Sequence, residues 1–389
     1  MTESRPVPTS SKLPGVGLSI FAVMSKKAAD HGALNLAQGF PDFECPAALR
    51  EAVVEAMSSG LNQYSPMPGA PALLERIEQK LRDHYGVDAD AGREVTVTAG
   101  ATEALFVAIQ SCVRDGDEVV VLDPAYDSYE PAVHLAGGRC VHVPLSPPGY
   151  GIDFDRLADA ITPRTRLVVV NTPHNPTGAV LSRDDLDRLA DVLEGTDALL
   201  LSDEVYEHIV FDGARHASVL QHPRLRPRAF AVFSFGKTYH VTGWKIGYCV
   251  APPALTEEFR KVHQYVTFCV STPMQHAIAA FMADASFAAS LGEFYQEKRD
   301  RFRAGLENSA WSLPPCAGTY FQLLGHGDFA SESDTDMTER LLREAGVAAI
   351  PVSVFNEDGR DDRVLRMCFA KGDETLDAAC EKLRAFAPA

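Results

Sequence analysis

The sequence predicts an α/β fold in which a mostly parallel sheet forms a large domain, accompanied by a smaller α+β domain. Between about residues 46 and 280, short apolar runs alternate with helical stretches. The apolar runs lie at residues 94–97, 118–122, 167–170, 198–201 and 229–233. Strands that are apolar along their whole length are buried on both faces, as in a parallel sheet covered by helices.

The helical stretches and the second domain complete this prediction. Residues 71–85 and 184–193 carry apolar residues at three- and four-residue spacing, the period of a helix with one buried face. The second domain combines residues 1–45, which begin with an extended arm to about residue 18, with residues 281–389. Its predicted elements are one long charged helix over 281–306, strands near 319–324 and 364–369, and helices near 334–344 and 373–385.

The composition narrows the possible partners. The 389 residues carry a net charge of −17, which argues against nucleic acid or an anionic membrane, because both favour a basic surface. The eight cysteines form no Cys-x-x-Cys pair, so free thiols are expected and no metal site is predicted. The N-terminus lacks the apolar core of a signal peptide, and no stretch has the length of a membrane span. A cytoplasmic protein is therefore expected.

Lys237 is the most informative residue of the chain. It follows the apolar run at 229–233 and stands beside Gly236, where a solubilising charge is out of place. A lysine at the end of a buried strand can lose its proton through desolvation and act as a nucleophile. Asp203 ends another apolar run 34 residues upstream. Such a pair on adjacent strand ends suits pyridoxal phosphate (PLP), with the lysine on its aldehyde and the carboxylate on its pyridinium proton.

Other strand ends offer groups to the same ligand, because a parallel sheet binds ligands at the carboxyl ends of its strands. Gly100-Ala101-Thr102 opens a helix whose free N–H groups can hold a phosphate, although Thr102 could instead be only a helix cap. Tyr126 can stack on a flat ring. Asn175 lies between two prolines and can donate to a ring oxygen, although the segment Asn-Pro-Thr-Gly alone could be only a turn.

Four further residues extend the set. Tyr206 lies three residues after Asp203, on the same side if a turn begins there, although this acidic segment could be only a solvated helix start. Ser234 can bond a phosphate, and Lys245 can neutralise its charge. Arg366 lies in an apolar strand, where an arginine is costly unless paired, either with a carboxylate ligand or in an internal salt bridge. Together these groups outline one ligand with a phosphate, a flat ring and an aldehyde, and a carboxylated partner at Arg366.

Over nearly its whole length the chain resembles the class I and II PLP-dependent aminotransferases of fold type I. The most specific phrases are NLAQGFPDF at residues 35–43, NQYSP at 62–66, SDEVYEH at 202–208 and GKTYHVTGWK at 236–245. These phrases are similar to the bacterial methionine aminotransferases and, less closely, to the kynurenine aminotransferases with glutamine transaminase activity. Lys245 stands where the aspartate aminotransferases carry an arginine, which favours these two branches.

The resemblance implies how the cofactor is held. Lys237 would bind the aldehyde and act as the catalytic base, and Asp203 would pair with the ring nitrogen. Tyr206 and Asn175 would bond the ring oxygen, and Tyr126 would stack on the ring.

The resemblance also implies the phosphate and substrate contacts. The residues implied around the phosphate are Gly100, Ala101, Thr102, Ser234 and Lys245. Tyr64 would reach the phosphate of the partner subunit, so that the active unit is a homodimer. The substrate carboxylate would lie between Arg366, Asn175 and the backbone of Gly39.

The implied activity is a ping-pong exchange of an amino group between a neutral amino acid and a 2-oxo acid. A methionine-like, aromatic or kynurenine-like donor is expected, and the plausible side-chain pocket is formed by Ile20, Phe21, Tyr64, Tyr126 and Phe355. Two alternatives stay open at this point. The same residues would serve a PLP-dependent C–S β-lyase acting on cysteine S-conjugates, or the chain could be a non-catalytic PLP-sensing module.

Overall fold

A computed structural model describes residues 10–387. Its α-helices are α1 (Ile20–His31), α2 (Ala47–Ser58), α3 (Pro71–Tyr85), α4 (Ala91–Glu94), α5 (Gly100–Cys112), α6 (Tyr129–Leu135), α7 (Phe154–Ala160), α8 (Arg183–Leu193), α9 (Phe235–Thr238), α10 (Pro253–Val266), α11 (Thr272–Phe281), α12 (Ser286–Gly305), α13 (Asp334–Ala345) and α14 (Asp373–Phe386). Its strands are β1 (Leu34–Asn35), β2 (Val95–Thr98), β3 (Glu118–Asp123), β4 (Arg139–Pro144), β5 (Thr165–Asn171), β6 (Leu199–Asp203), β7 (Ala229–Ser234), β8 (Gly247–Val250), β9 (Phe321–Gly325), β10 (Val347–Ala348), β11 (Ile350–Pro351) and β12 (Val364–Cys368).

A seven-stranded sheet with the order β2-β8-β7-β6-β5-β3-β4 forms the centre of the molecule. The pairs from β7 to β4 are parallel, which confirms the predicted mostly parallel sheet. Within this sheet, β8 runs antiparallel to its neighbours β2 and β7. The carboxyl ends of β5, β6 and β7 therefore meet at one edge, which is where the polar residues at these strand ends lie.

Helices cover both faces of this sheet. In β3, Val119 and Val121 pack in the core that α5 shares, whereas Val120 packs in the core that α3 and α8 share. Successive side chains of a strand point to opposite faces, so a strand with two covered faces is apolar throughout. This is the reason why the apolar runs identify the central strands correctly.

Two small sheets lie outside the central one. Strands β11, β12 and β9 form an antiparallel sheet in that order, and β1 pairs with β10 in parallel. The β1–β10 pair joins residues 34–35 to residues 347–348, which brings the N-terminal region to the C-terminal one. The division into domains at residues 46 and 280 stays a prediction. Of the predicted arm, residues 1–9 lie outside the described residues, and the remainder contains no helix or strand before Ile20.

The long helix predicted over residues 281–306 is present as α12, although it begins at Ser286, five residues later than predicted. The structure has α11 ending at Phe281 and α12 beginning at Ser286, with an angle of 83° between the two helices. Asp284 explains the break, because its carboxylate accepts a hydrogen bond of 2.9 Å from the backbone N–H of Ser286. An aspartate that bonds the backbone in this way competes with continuation of a helix.

No single described helix is long and apolar enough to cross a membrane, although the bent pair α11 and α12 passes a test of length and composition. All eight cysteines lie within the described residues and are unpaired.

Candidate active site

A cavity of about 270 Å³ opens at the carboxyl ends of the central strands. Its wall brings together residues from nearly every motif singled out in the sequence. The predicted site residues that line it are Gly39, Gly100, Ala101, Thr102, Tyr126, Asn175, Asp203, Tyr206, Ser234, Lys237, Lys245 and Arg366. The strand ends therefore converge on one space, as the parallel topology requires.

Lys237 lies in the short helix α9, directly after β7. Its Nζ donates hydrogen bonds to the carbonyl of Gly39 at 3.2 Å and to the hydroxyl of Tyr320 at 2.9 Å. Burial lowers the pKa of Lys237 to about 8, because an ammonium loses hydration inside the protein. Near neutral pH, a usable fraction of the side chain is therefore a neutral amine.

Asp203 closes β6 and is held from two sides. Its Oδ2 accepts a hydrogen bond of 2.7 Å from the hydroxyl of Tyr129, and Oδ1 accepts one of 3.4 Å from the backbone N–H of Val205. Burial raises the pKa of Asp203 to about 6, against the opposing effect of these hydrogen bonds. Asn171 donates to the backbone carbonyl of Asp203 at 2.8 Å and accepts from the backbone N–H of Asn175, also at 2.8 Å. This chain of bonds links the ends of β5 and β6.

The start of α5 forms a cup suited to a phosphate. Gly100 has a φ of +74°, and a Cβ placed there would lie 3.1 Å from both Cε and Nζ of Lys245. The space at Gly247 of β8 is also narrow, because a Cβ placed there would lie 2.9 Å from the backbone N of Ala101. The Nζ of Lys245 lies 3.5 Å from the hydroxyl of Thr102. Free N–H groups, a hydroxyl and an ammonium are the donors that a phosphate requires.

Arg366 of β12 is only 1% exposed. It donates to the side-chain oxygen of Asn175 at 2.8 Å and to the carbonyl of Ala37 at 2.6 Å, and its Nε has no partner in the described part of the chain. The guanidinium carbon lies 4.9 Å from the ring centre of Phe21 and 4.0 Å from that of Phe321. Both hydrogen-bond partners are neutral, so the internal salt bridge is not the arrangement observed. A guanidinium that lines the cavity and has only neutral partners fits a carboxylate ligand.

Three of the residues suggested for the side-chain pocket lie elsewhere. Phe21 and Tyr126 line the cavity, but Ile20, Tyr64 and Phe355 do not. Phe355 packs behind Phe21, with ring centres 5.8 Å apart, and so supports the wall without forming it. Tyr64 is 85% exposed and contacts Phe268 edge to face, outside the cavity of its own chain.

Two tyrosines that contact the predicted residues were missed. Tyr129 lies three residues after Tyr126 in the same segment, so a nearby signal existed. Tyr320 lies 83 residues from Lys237 along the chain, and no local pattern connects the two.

Comparison with known proteins gives the family. The chain matches the family "Aminotransferase class I and II" over residues 32–383. It is 48% identical over 382 residues to the methionine aminotransferase of Escherichia coli, covering 98% of this chain and 99% of that protein. The chain belongs to the class I and II aminotransferases. This aminotransferase is also 33% identical over 408 residues to kynurenine–oxoglutarate transaminase 1 of Homo sapiens. The match covers 96% of this chain and 97% of the human protein.

Solved structures agree with this aminotransferase in fold. An Escherichia coli protein with a methionine aminotransferase function superposes with a TM-score of 0.96 at 48% identity, covering 98% of this chain and 100% of that one. The N-succinyldiaminopimelate aminotransferase of Mycobacterium tuberculosis gives a TM-score of 0.93 at 38% identity, with coverages of 98% and 100%. The predicted fold, type I of the PLP-dependent transferases, is confirmed.

The predicted cofactor is confirmed with the family, since aminotransferases of this class work with PLP. The described residues fit it, because the phosphate cup, the buried carboxylate of Asp203 and the amine of Lys237 face one cavity. The aminotransferase is thus a PLP-dependent transaminase acting on amino acids and 2-oxo acids.

Proposed function

We propose that the enzyme transfers the amino group of a neutral amino acid, methionine-like, aromatic or kynurenine-like, to a 2-oxo acid. The observation that carries the proposal is the wall beside Arg366. The guanidinium of Arg366 would receive the substrate carboxylate, while Phe21, Leu105 and Phe321 offer apolar surface to the side chain. The similarity to the bacterial methionine aminotransferase and to the human kynurenine–oxoglutarate transaminase supports the same class of donor.

Each cationic side chain on the described cavity wall has a role in the proposed reaction. Lys237 is the base, Lys245 neutralises the phosphate and Arg366 binds the carboxylate common to all amino acids. A substrate with a second carboxylate would therefore bury that charge among apolar side chains. Burying an unpaired charge is costly, so acidic donors are expected to react poorly.

Lys237 moves the proton in the proposed reaction. With a pKa of about 8, its neutral amine would take the proton from the substrate Cα, and the resulting ammonium would deliver it to the C4′ carbon of the cofactor. PLP supplies the electrophilic aldehyde and a ring that accepts the electron pair left at Cα. Asp203 would hold the proton of the ring nitrogen. Burial raises the pKa of Tyr206, which keeps its hydroxyl protonated and able to donate, with Asn175, to the ring oxygen.

The proposed active unit is a homodimer in which Tyr64 completes the phosphate site of the partner subunit. Tyr64 is 85% exposed, and it contacts Phe268, which is 45% exposed. Tyr265 and Val266, at the end of α10, are also exposed. Exposed apolar side chains close together support a protein–protein contact at this surface.

A cytoplasmic location is proposed as well, because eight unpaired cysteines suit a reducing compartment.

A substrate panel tests the proposed donor class. Methionine, phenylalanine, kynurenine, glutamine, aspartate and glutamate are each offered with several 2-oxo acids, and kcat/KM is measured for each pair. We expect methionine and the aromatic donors to exceed aspartate by about a hundredfold or more. Faster reaction with aspartate or glutamate would contradict the proposal. A cysteine S-conjugate forms a separate arm, and release of pyruvate and ammonia without consumption of a 2-oxo acid would indicate the β-lyase instead.

A further inference from the structure

The amine of Lys237 rests against a wall formed by two oxygens. One is the carbonyl of Gly39, 3.2 Å from Nζ, and the other is the hydroxyl of Tyr320, 2.9 Å from Nζ. Gly39 allows this close packing, because a Cβ at that position would lie 2.9 Å from the ring of Phe321. The shorter contact is the one to the hydroxyl of Tyr320. This hydroxyl belongs to a side chain, so a substitution can remove it without altering the backbone.

The hydroxyl of Tyr320 can act only as an acceptor towards Lys237. Its proton is already donated to the carbonyl of Gly39, at 2.6 Å. Burial raises the pKa of Tyr320 well above its usual value, so the hydroxyl stays neutral at working pH. A neutral acceptor binds an ammonium more strongly than an amine, because hydrogen bonds to charged donors are the stronger ones.

The ring of Tyr320 is fixed by its neighbours. It is fully buried, and it packs edge to face on Tyr206 with ring centres 5.1 Å apart. Phe321 and Tyr295 lie within 4.9 Å and 5.6 Å, measured between ring centres. The hydroxyl is thus held in place by packing, as a group that orients another side chain must be.

Burial alone does not explain this hydroxyl. In the same cluster, the buried hydroxyl of Tyr295 has no hydrogen-bond partner among residues 10–387. Tyr320 differs because its oxygen joins two groups of the active site, the carbonyl of Gly39 and the amine of Lys237.

We propose that Tyr320 is a positioning residue which seats the free amine of Lys237 and directs its lone pair. The proposal rests on the role of Lys237 given above. When two N–H bonds of the neutral amine are donated to Tyr320 and Gly39, the lone pair points away from that wall. The hydroxyl also stabilises the ammonium, and so offsets part of the fall in pKa that burial causes.

Tyr320→Phe tests this proposal, because it keeps the ring and removes the acceptor. The holoenzyme is loaded with pyridoxamine phosphate, in which form Lys237 is free, and is labelled briefly with acetic anhydride at a series of pH values. Mass spectrometry of the peptide containing Lys237 gives the midpoint of its titration. We expect the midpoint to fall by about one pH unit in Tyr320→Phe. The alkaline side of the kcat–pH profile should shift in the same direction, and kcat should fall about tenfold with little change in KM.

Tyr295→Phe is the matched control, since it removes a hydroxyl from the same cluster that has no partner. Its titration midpoint and kcat should equal those of the wild type. An unchanged midpoint in Tyr320→Phe, with or without a loss of thermal stability, would overturn the proposal. If the phenylalanine variant does not fold, Tyr320→Met gives the same reading with a flexible side chain of similar bulk. The role of Lys237 is checked separately: if it stays reactive in the PLP-loaded wild type, that role fails rather than the role of Tyr320.

Discussion

At the scale of single residues, Asp203 is a carboxylate that the cofactor-free protein holds at a cost. Burial raises its pKa from 3.8 to about 6, so the native chain keeps a proton on Asp203 over a range in which the unfolded chain has lost it. Where the native state binds more protons, the free energy of unfolding falls as the pH rises. A protonated ring nitrogen beside Asp203 would remove this cost, so cofactor binding should stabilise the ionised carboxylate.

Asp203→Asn should therefore change stability in a pH-dependent way. Asparagine is neutral at every pH, so the free energy of unfolding of the cofactor-free variant should not show this fall. Relative to the wild type, it should rise by about 2 to 3 kcal/mol in total between about pH 4 and pH 6, and the difference should stay constant above that range. Urea unfolding of both proteins at unit steps from pH 4 to pH 8 measures it. A difference that does not vary with pH would show that Asp203 ionises as an exposed aspartate does.

The site residues differ in how far a sequence predicts them. Asp203 ends a buried strand, and Lys237 and Asn175 lie three and four residues after the ends of two others, so the strand pattern alone brings them to one edge of the sheet. Tyr320 and Gly39 reach Lys237 only through packing between distant segments, 83 and 198 residues away along the chain. Contacts of this kind depend on tertiary structure, which a single sequence does not contain in any local pattern.

At the scale of elements, strands and helices with strong periodicity were predicted to within one or two residues. Helix α3 occupies the predicted residues 71–85, and β3 and β5 extend the predicted runs only slightly. Strands β4 and β8 were not predicted. The residues of β4 are largely half-buried, as expected at the edge of a sheet, and β8 begins at Gly247. The edge strand β4 lacks the continuous apolar pattern of the central strands, whereas β8 is buried and apolar but only four residues long.

At the start of α5, a substitution of Gly100 is expected to affect PLP binding. Gly100→Ala forces an alanine into a positive φ of +74° and brings its Cβ to 3.1 Å from Nζ of Lys245. We expect this change to weaken PLP binding by about tenfold or more, because it displaces the ammonium and the first N–H groups of the cup. Titration of the cofactor-free protein with PLP, followed by absorbance, measures the dissociation constant.

Gly195→Ala is the matched control for this change. Gly195 also has a φ of +74°, but a Cβ there would have nothing within 4 Å. Both variants should lose about 1 kcal/mol of stability through backbone strain, and only Gly100→Ala should lose affinity for PLP. An equal loss of affinity in both variants would mean that the cup at Gly100 does not hold the phosphate.

At the scale of the whole molecule, the proposed dimer shares each active site between two chains. Tyr64→Ala and Lys237→Ala should each give a poorly active or inactive protein. When the two are refolded together, half of the dimers are mixed, and one of the two sites in each mixed dimer has both intact residues. We therefore expect roughly a quarter of the wild-type activity from the mixture.

The control for this complementation pairs Tyr64→Ala with the double variant Tyr64→Ala/Lys237→Ala. In that mixture no site can contain both side chains, so the activity should not rise on mixing. If the first mixture also shows no gain while mixed dimers are detected by mass spectrometry, Tyr64 acts within its own chain or not at all.

The central claim is that the strand ends gather around Lys237, which binds the cofactor. The most direct test is reduction of the PLP-loaded holoenzyme with borohydride, followed by digestion and mass spectrometry, because reduction fixes the cofactor to the amine that holds it. The account predicts that the phosphopyridoxyl group is found on Lys237 and is absent from the Lys237→Ala variant treated in the same way. Its recovery on another residue, such as Lys245, in the wild-type protein would contradict the account.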